Sequence, residues 1–252
     1  MDWQDRGLLL FKRPHGEDAA ILECFTAAHG RHLGVMRGGA SRSKAGFLQP
    51  GHTLALTWRA RLSAHIGHFT AEPLTARPGL LAGRGALAAL NSLCALLHLT
   101  LPERDPHPAL FAASEALLGA LEAGADWPAP YLAWEVQLLR ELGFALDLSE
   151  CAVTGAREGL VYVSPRTGRA VTKAGAGDWA DQLFPLPKVL LGGAGAAGDF
   201  AAAFRITGHF LARALPDKRG EGAGELPPAR ARLLSALDAG GSPILGGKSS
   251  GV

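Results

Sequence analysis

Between Cys24 and Ala71 the chain carries no aspartate and no glutamate, and its apolar residues alternate in short runs cut by glycine. Three such runs are His32-Leu-Gly-Val-Met-Arg37, His52-Thr-Leu-Ala-Leu-Thr-Trp-Arg-Ala60 and His65-Ile-Gly-His-Phe-Thr70. Period two sends one face of a strand into a core and the other into water, so this stretch reads as half-buried strands. Among the polar positions stand Arg31, Arg37, Arg42, Lys44, Arg59 and Arg61, with His29, His32, His52, His65 and His68 between them. A one-signed surface with no acid to neutralise it is the electrostatic footprint of a polyanion binder. Spread over strands, it suggests a groove across a small barrel.

The formal charge of the whole chain, +2, hides this. Residues 1–80 hold ten Lys/Arg against six Asp/Glu, residues 81–150 three against nine, and residues 151–252 twelve against eight. A basic first unit is therefore joined to an acidic middle. The length suits one large domain or two smaller ones, and 48% apolar residues suffice for a packed core. Met1-Asp-Trp-Gln-Asp-Arg6 places acids where a signal peptide needs a basic start. The most apolar run, Leu80 to Leu101, is broken by Arg84, Asn91 and His98 and reads as a buried helix, not a membrane span. Three widely spaced cysteines at 24, 94 and 151 imply no disulfide framework. A reducing cytoplasm, with the protein at the nucleoid and no membrane partner, is the expected setting.

Taken in order, strands are expected at Gly7–Arg13, Ala19–Thr26 and Arg31–Arg37, with two more reaching about Thr75 and a flexible loop, 38–46, carrying Arg42 and Lys44. Five short strands in roughly 75 residues with glycine-rich turns read as a small closed or nearly closed barrel, the OB-fold being commonest at that size. From Leu80 the pattern turns helical. Helices are expected over Leu80–Leu99, from Pro108 through Leu121, and from Pro130 to a stop at Gly143, with others at Phe200–Leu215 and Ala229–Leu237. Cys151–Thr172 looks like an inserted hairpin held by Val161, Tyr162 and Val163, Gly192–Gly198 like a linker, and 239–252 like a disordered tail. The expected class is α+β: an OB-fold barrel over 1–78, then a helical domain over 79–238 with a small insertion at 151–173.

The candidate phosphate contacts are Lys12, Arg13, Arg31, Arg37, Arg42, Lys44, Arg59 and Arg61. Trp58 and Phe69 are candidates for base stacking, although such aromatics more often belong to the core. His65 and His68 lie three apart, which on a strand points them to opposite faces, and no Cys-x-x-Cys pair exists, so no metal site is read. Glu135, Ser164 and the Thr207-Gly-His209 run are scattered without a triad, and the glycines of 192–198 lack the Lys-Ser/Thr ending of a P-loop. No enzyme and no cofactor are read from these residues. Two rivals to DNA binding stay open: an RNA- or ribosome-associated OB-fold protein, and a scaffold that docks acidic peptides on the basic face.

Several short runs share an order and spacing over about 210 residues. They include Arg13-Pro-His-Gly-Glu17, Phe25-Thr-Ala-Ala-His-Gly-Arg31, Gly34-Val-Met-Arg-Gly38, Leu48-Gln-Pro-Gly51, Trp134-Glu135 with Gly143-Phe144, Cys151-Ala-Val-Thr-Gly155, Ser164-Pro-Arg-Thr-Gly-Arg-Ala170 and Ile206-Thr-Gly-His-Phe-Leu211. In these the chain resembles the bacterial recombination-mediator family RecO, in its alphaproteobacterial branch. The resemblance implies an N-terminal OB-fold, a helical body and a zinc-ribbon-like insertion. It further implies binding of single- and double-stranded DNA, annealing of complementary strands, and help in loading recombinase onto coated single strands. The partners it implies are RecR and the acidic C-terminal tail of the single-stranded-DNA-binding protein. Many members hold zinc through four cysteines in the insertion; here Cys151 keeps one place and Thr154 stands where its pair partner would be. The insertion is therefore expected to fold without metal.

Overall fold

The computed structural model describes residues 1–62, 65–215 and 223–239. Its N-terminal part is built on one long strand, β1 (Asp2–His15), which bends between two neighbours. The first part of β1 pairs with β4 (Thr53–Arg59) and the second with β2 (Ala19–Thr26), which continues through a hairpin into β3 (Gly30–Met36). A single helical turn, α1 (Arg42–Ala45), separates β3 from β4, and β5 (His68–Thr75) follows. The sheet order is β1-β2-β3-β5-β4, with β4 returning to β1. Closure is thin: β3 and β5 meet through one registered parallel pair, Val35 opposite His68, beside the bond from Val35 N to Gly67 O at 3.0 Å.

Leu8, Leu9 and Leu10 are all fully buried, which simple alternation forbids on a one-sided strand. A β-bulge between Leu9 and Phe11 reconciles them. Leu9 joins the barrel core with Leu22, Cys24, Leu54, Leu56, Trp58 and Phe69. Leu8 and Leu10, with Phe25, instead pack into the helical core. One apolar core thus runs from the outer wall of the barrel into the helices.

Those helices are α2 (Arg84–Thr100), α3 (Pro108–Glu122) and α4 (Pro128–Glu141). Proline occupies the first turn of α3 and of α4, where its missing N–H costs nothing. Gly143, at φ +80°, ends α4, and Phe144 N closes back on Leu139 O at 2.8 Å as a Schellman cap does. The expected start at Leu80 is instead a separate turn, Pro78–Leu81, whose Gly79 and Leu80 N–H groups are taken by the Glu122 carboxylate at 3.1 and 3.0 Å. The strand expected over His65–Thr70 begins only at His68, because Gly67 sits at φ +69° and Ile66 O is turned onto Trp58 Nε1 at 3.0 Å.

The insertion carries β6 (Leu160–Val163), β7 (Ala170–Thr172), the turn α5 (Lys173–Ala176) and a two-residue strand β8 (Phe184–Pro185) that pairs with β6. It is a three-stranded sheet, not a bare hairpin. Val161 does not hold it: that side chain is 41% exposed, whereas Val163 enters the helical core and Tyr162 packs against Cys151, Val171 and Ala176. Two further helices, α6 (Ala197–Ala214) and α7 (Pro228–Ala239), complete the body. They are joined to α4 by a buried network: Arg230 Nε and Nη2 donate to Glu135 at 2.7 and 2.9 Å, and Thr207 Oγ1 donates to the same carboxylate at 2.5 Å. Glu135 and Thr207, scattered in the sequence, therefore meet in the core. The architecture is α+β, a five-stranded barrel followed by a helical body with a small sheet. Among the described residues no helix is long and apolar enough to cross a membrane. The glycine- and serine-rich tail lies outside the described residues beyond Ala239.

Candidate nucleic-acid interface

Residues opposite each other on paired strands share a face. That rule gives one outward row around the barrel: Arg13 opposite Ile21, Ile21 opposite Val35, Val35 opposite His68, His68 opposite Arg59, and Arg59 opposite Asp2. Because the β3–β5 seam is so short, a groove of about 390 Å³ opens over it, lined by Val35, Arg37, Lys44, Arg59, His68 and Thr70. Lys44 is set there by α1 and donates from Nζ to Arg37 O at 3.2 Å. A second groove of about 420 Å³ continues past the first, sharing Arg59 and His68 and adding Arg61. Asp2 lines it too, in register with Arg59. Arg42 is exposed on the same turn as Lys44 but lines neither groove.

Of the eight cations named from sequence, the structure thus gathers Arg37, Lys44, Arg59 and Arg61. Arg13 is exposed on the same row, two strands and about 10 Å from Val35 at ordinary strand spacing. Lys12 is on the other face, opposite core residue Leu22, and is half-buried. Arg31 is elsewhere altogether. Its Nη1 donates to Glu23 Oε1 at 2.8 Å and its Nε to Leu101 O at 3.1 Å, and Glu23 is buried with His98 Nδ1 on the same oxygen at 2.8 Å. Arg31 neutralises a carboxylate at the join between barrel and helices. Arg31→Ala is accordingly expected to cost about 1–3 kcal/mol of stability in urea melts, because it strips a buried carboxylate of its partner.

Carboxylates of the acidic middle segment are taken up by partners of their own, two of them near the same join. Glu115 accepts from Thr53 Oγ1 at 2.6 Å and pairs with buried Arg77 at 3.2 Å and with Arg6 at 3.5 Å. Glu122 caps the 78–81 turn, and Glu141 binds His107 Nδ1 at 3.0 Å. Among the described residues none of Arg37, Arg42, Lys44, Arg59 and Arg61 takes part in an ion pair. The one carboxylate lining the two grooves among the described residues is that of Asp2, beside Arg59.

The proposed stacking faces of Trp58 and Phe69 are not available: both are 3% exposed in the barrel core. Gly34 makes room for this, since a Cβ there would collide with the Phe69 ring. His32 is buried beside them, and burial holds its pKa below the usual 6.5 against the pull of the His29 carbonyl; His52 is lowered for the same first reason. Below the free-imidazole value the unfolded chain takes up protons that the folded rings refuse, so acid favours unfolding. Stability in urea melts is expected to fall as the pH drops from about 7 to about 5; a flat profile would contradict the burial of these rings.

The insertion does not fit a zinc ion. The Cys151 sulfur faces donors, not fellow ligands: Thr154 N at 3.4 Å, Thr172 N at 3.3 Å and Thr172 Oγ1 at 3.5 Å. Burial opposes ionisation of this thiol, but those hydrogen bonds outweigh it and bring the pKa to about 6. Among the described residues no three His, Cys, Asp or Glu side chains stand together as a metal would need.

Against known families, residues 1–77 match the model described as Recombination protein O N terminal, and residues 84–223 match Recombination protein O C terminal. A DNA repair protein RecO of Cereibacter sphaeroides is 59% identical over 242 residues, covering 95% of this chain and 100% of that protein. The proteins of the same name from Roseobacter denitrificans and Paracoccus denitrificans are 54% and 51% identical, over 94% and 95% of this chain and 98% and 97% of their own. With both family models laid end to end along it and relatives more than half identical over nearly their full length, the chain belongs to the RecO family.

Proposed function

We propose that this chain is a DNA-binding protein of repair and homologous recombination that works without hydrolysis or cofactor. The observation that carries the reading is the set of cations, Arg37, Lys44, Arg59 and Arg61, that line the two joined grooves at the barrel seam and form no ion pair among the described residues. Guanidinium and ammonium groups spaced along a groove track a phosphate chain and read no bases, so binding is independent of sequence. Two strands whose charge is screened repel each other less, which is what annealing of complementary strands requires. Both single- and double-stranded DNA are substrates in this reading. Loading of recombinase onto coated strands, with RecR and the acidic tail of the single-stranded-DNA-binding protein as partners at the nucleoid, is the setting the family suggests.

The test is a salt titration of single-strand binding. Four neutralised phosphates give a slope of log K against log salt of about −3. A slope near zero would remove the groove from the account, and a preference for structured RNA in competition would move the assignment to RNA.

A further inference from the structure

We propose that the outer face of His29 is a base-stacking subsite that receives one unpaired nucleobase of a single strand lying in the cationic grooves. The proposal rests on the reading of those grooves given above. Trp58, Trp3 and His29 form a column of nearly parallel rings. Trp3 lies 5.8 Å from Trp58 with 16° between planes, and His29 lies 4.2 Å from Trp3 with 15° between planes. His32 stands edge-on beside all three, at 5.2, 5.1 and 6.4 Å. The column is rooted in the barrel core at Trp58 and ends at half-buried His29.

Its root is fixed from several sides. Trp58 Nε1 donates to Leu33 O at 3.2 Å and Ile66 O at 3.0 Å. The Arg104 guanidinium lies 5.9 Å from the Trp58 ring and donates to His65 O at 2.9 Å, and Arg104 holds a left-handed backbone, φ 66°. The outer end is fixed through backbone atoms: His29 N donates to Thr26 Oγ1 at 3.1 Å, His29 O lies 2.9 Å from His32 Nδ1, and Ala28 N donates to Asp5 Oδ2 at 3.0 Å. The His29 ring itself touches rings, Trp3 face to face and His32 edge-on.

A column of parallel rings ending in a half-exposed imidazole is a surface onto which a flat base adds as the next member. Its position suits a strand held by the cations. Trp3 and Trp58 are paired across β1 and β4, one residue from Asp2 and Arg59. The column therefore lies on the inner face of the two strands whose outer face lines the second groove. Asp5, bonded to the turn that carries His29, makes that spot a poor seat for phosphate. A neutral base suits it better, turned inward from a backbone that follows Arg59 and Arg61. Duplex DNA, with its bases already stacked, has none to offer.

The experiment compares an oligothymidylate of about sixteen nucleotides with an abasic strand of equal length and charge, by fluorescence anisotropy at fixed salt. His29→Ala is expected to weaken binding of the thymidylate about tenfold and leave the abasic strand unchanged, while His29→Phe retains thymidylate binding. The alanine variant keeps every backbone bond that fixes the turn, so it is a test of the ring. Equal loss on both strands, or no loss on either, overturns the subsite while leaving the groove standing. A wild-type protein that retains neither strand overturns the groove, and this subsite with it.

Discussion

Arg230→Ala is expected to lower the free energy of unfolding by about 3–5 kcal/mol. Arg230 lies on α7 and bridges to α4 and α6. Besides its two bonds to Glu135, Nη2 donates to Phe204 O at 2.8 Å and Thr207 Oγ1 at 3.2 Å, and the guanidinium lies 6.0 Å from the Phe204 ring. Glu135 is fully buried, so truncating its partner leaves a carboxylate with no water and little compensation. The close approach depends on Gly208, where a Cβ would meet the Arg230 guanidinium. Glycine inside a helix costs about 1 kcal/mol relative to alanine. Gly208→Ala therefore loses more through displaced Arg230 than it gains in propensity. The measurement is a urea melt of each variant together with the double replacement Glu135→Leu, Arg230→Met. The double variant is expected to recover most of the loss, since a buried pair replaced by apolar groups of similar size is often near neutral. If Arg230→Ala costs less than about 1 kcal/mol, the network is not what fastens α7. DNA affinity of the folded fraction is expected to stay the same in either case, because none of these residues lines the grooves.

How much of this could be read beforehand differs by the range of the interactions. The barrel strands and the helices are local patterns, and alternation, glycine turns and first-turn prolines located them to within a few residues. Faces were harder. Counting outward from Leu9, alternation turns Lys12 to solvent and Arg13 inward; the extra residue at the bulge reverses both, and nothing local marks Leu10 as that residue. The acid-free stretch hid Arg31's partner by one position, since Glu23 immediately precedes Cys24 and reaches Arg31 diagonally across the β2–β3 hairpin. The seam that creates the groove is a single pair between residues 35 and 68, and the Glu135–Arg230 bond spans 95 positions. Contacts of that reach leave no periodic trace in a single chain. Strand β8 is only two residues long, too short for any period to register. The family resemblance implies a ligand class but says nothing of which cations share a face, and that is set by the parity of paired strands.

That parity gives the second large expectation. Replacing Arg37, Lys44 and Arg59 together by alanine is expected to weaken single-strand binding by about 10²- to 10³-fold at tens of millimolar salt, and to flatten the salt slope by about 2. The arithmetic is counterion release at about 0.7 per neutralised phosphate on a single strand, for three phosphates. The loss should be the same for every sequence tried, because the groove offers charges to the backbone and not hydrogen-bond patterns to base edges. Stability should hardly change, since Arg37 and Arg59 are exposed and none of the three is in an ion pair among the described residues. Arg31→Ala supplies the contrast: it carries the same unit charge on the same barrel, yet it should weaken the fold and leave the slope alone. If instead Arg31→Ala flattens the slope while the triple variant keeps it, the phosphates run along the join between barrel and helices, and the seam between β3 and β5 is only a surface feature. Strand annealing should follow binding: a triple variant that anneals at the wild-type rate would separate the two activities and require a second cationic surface.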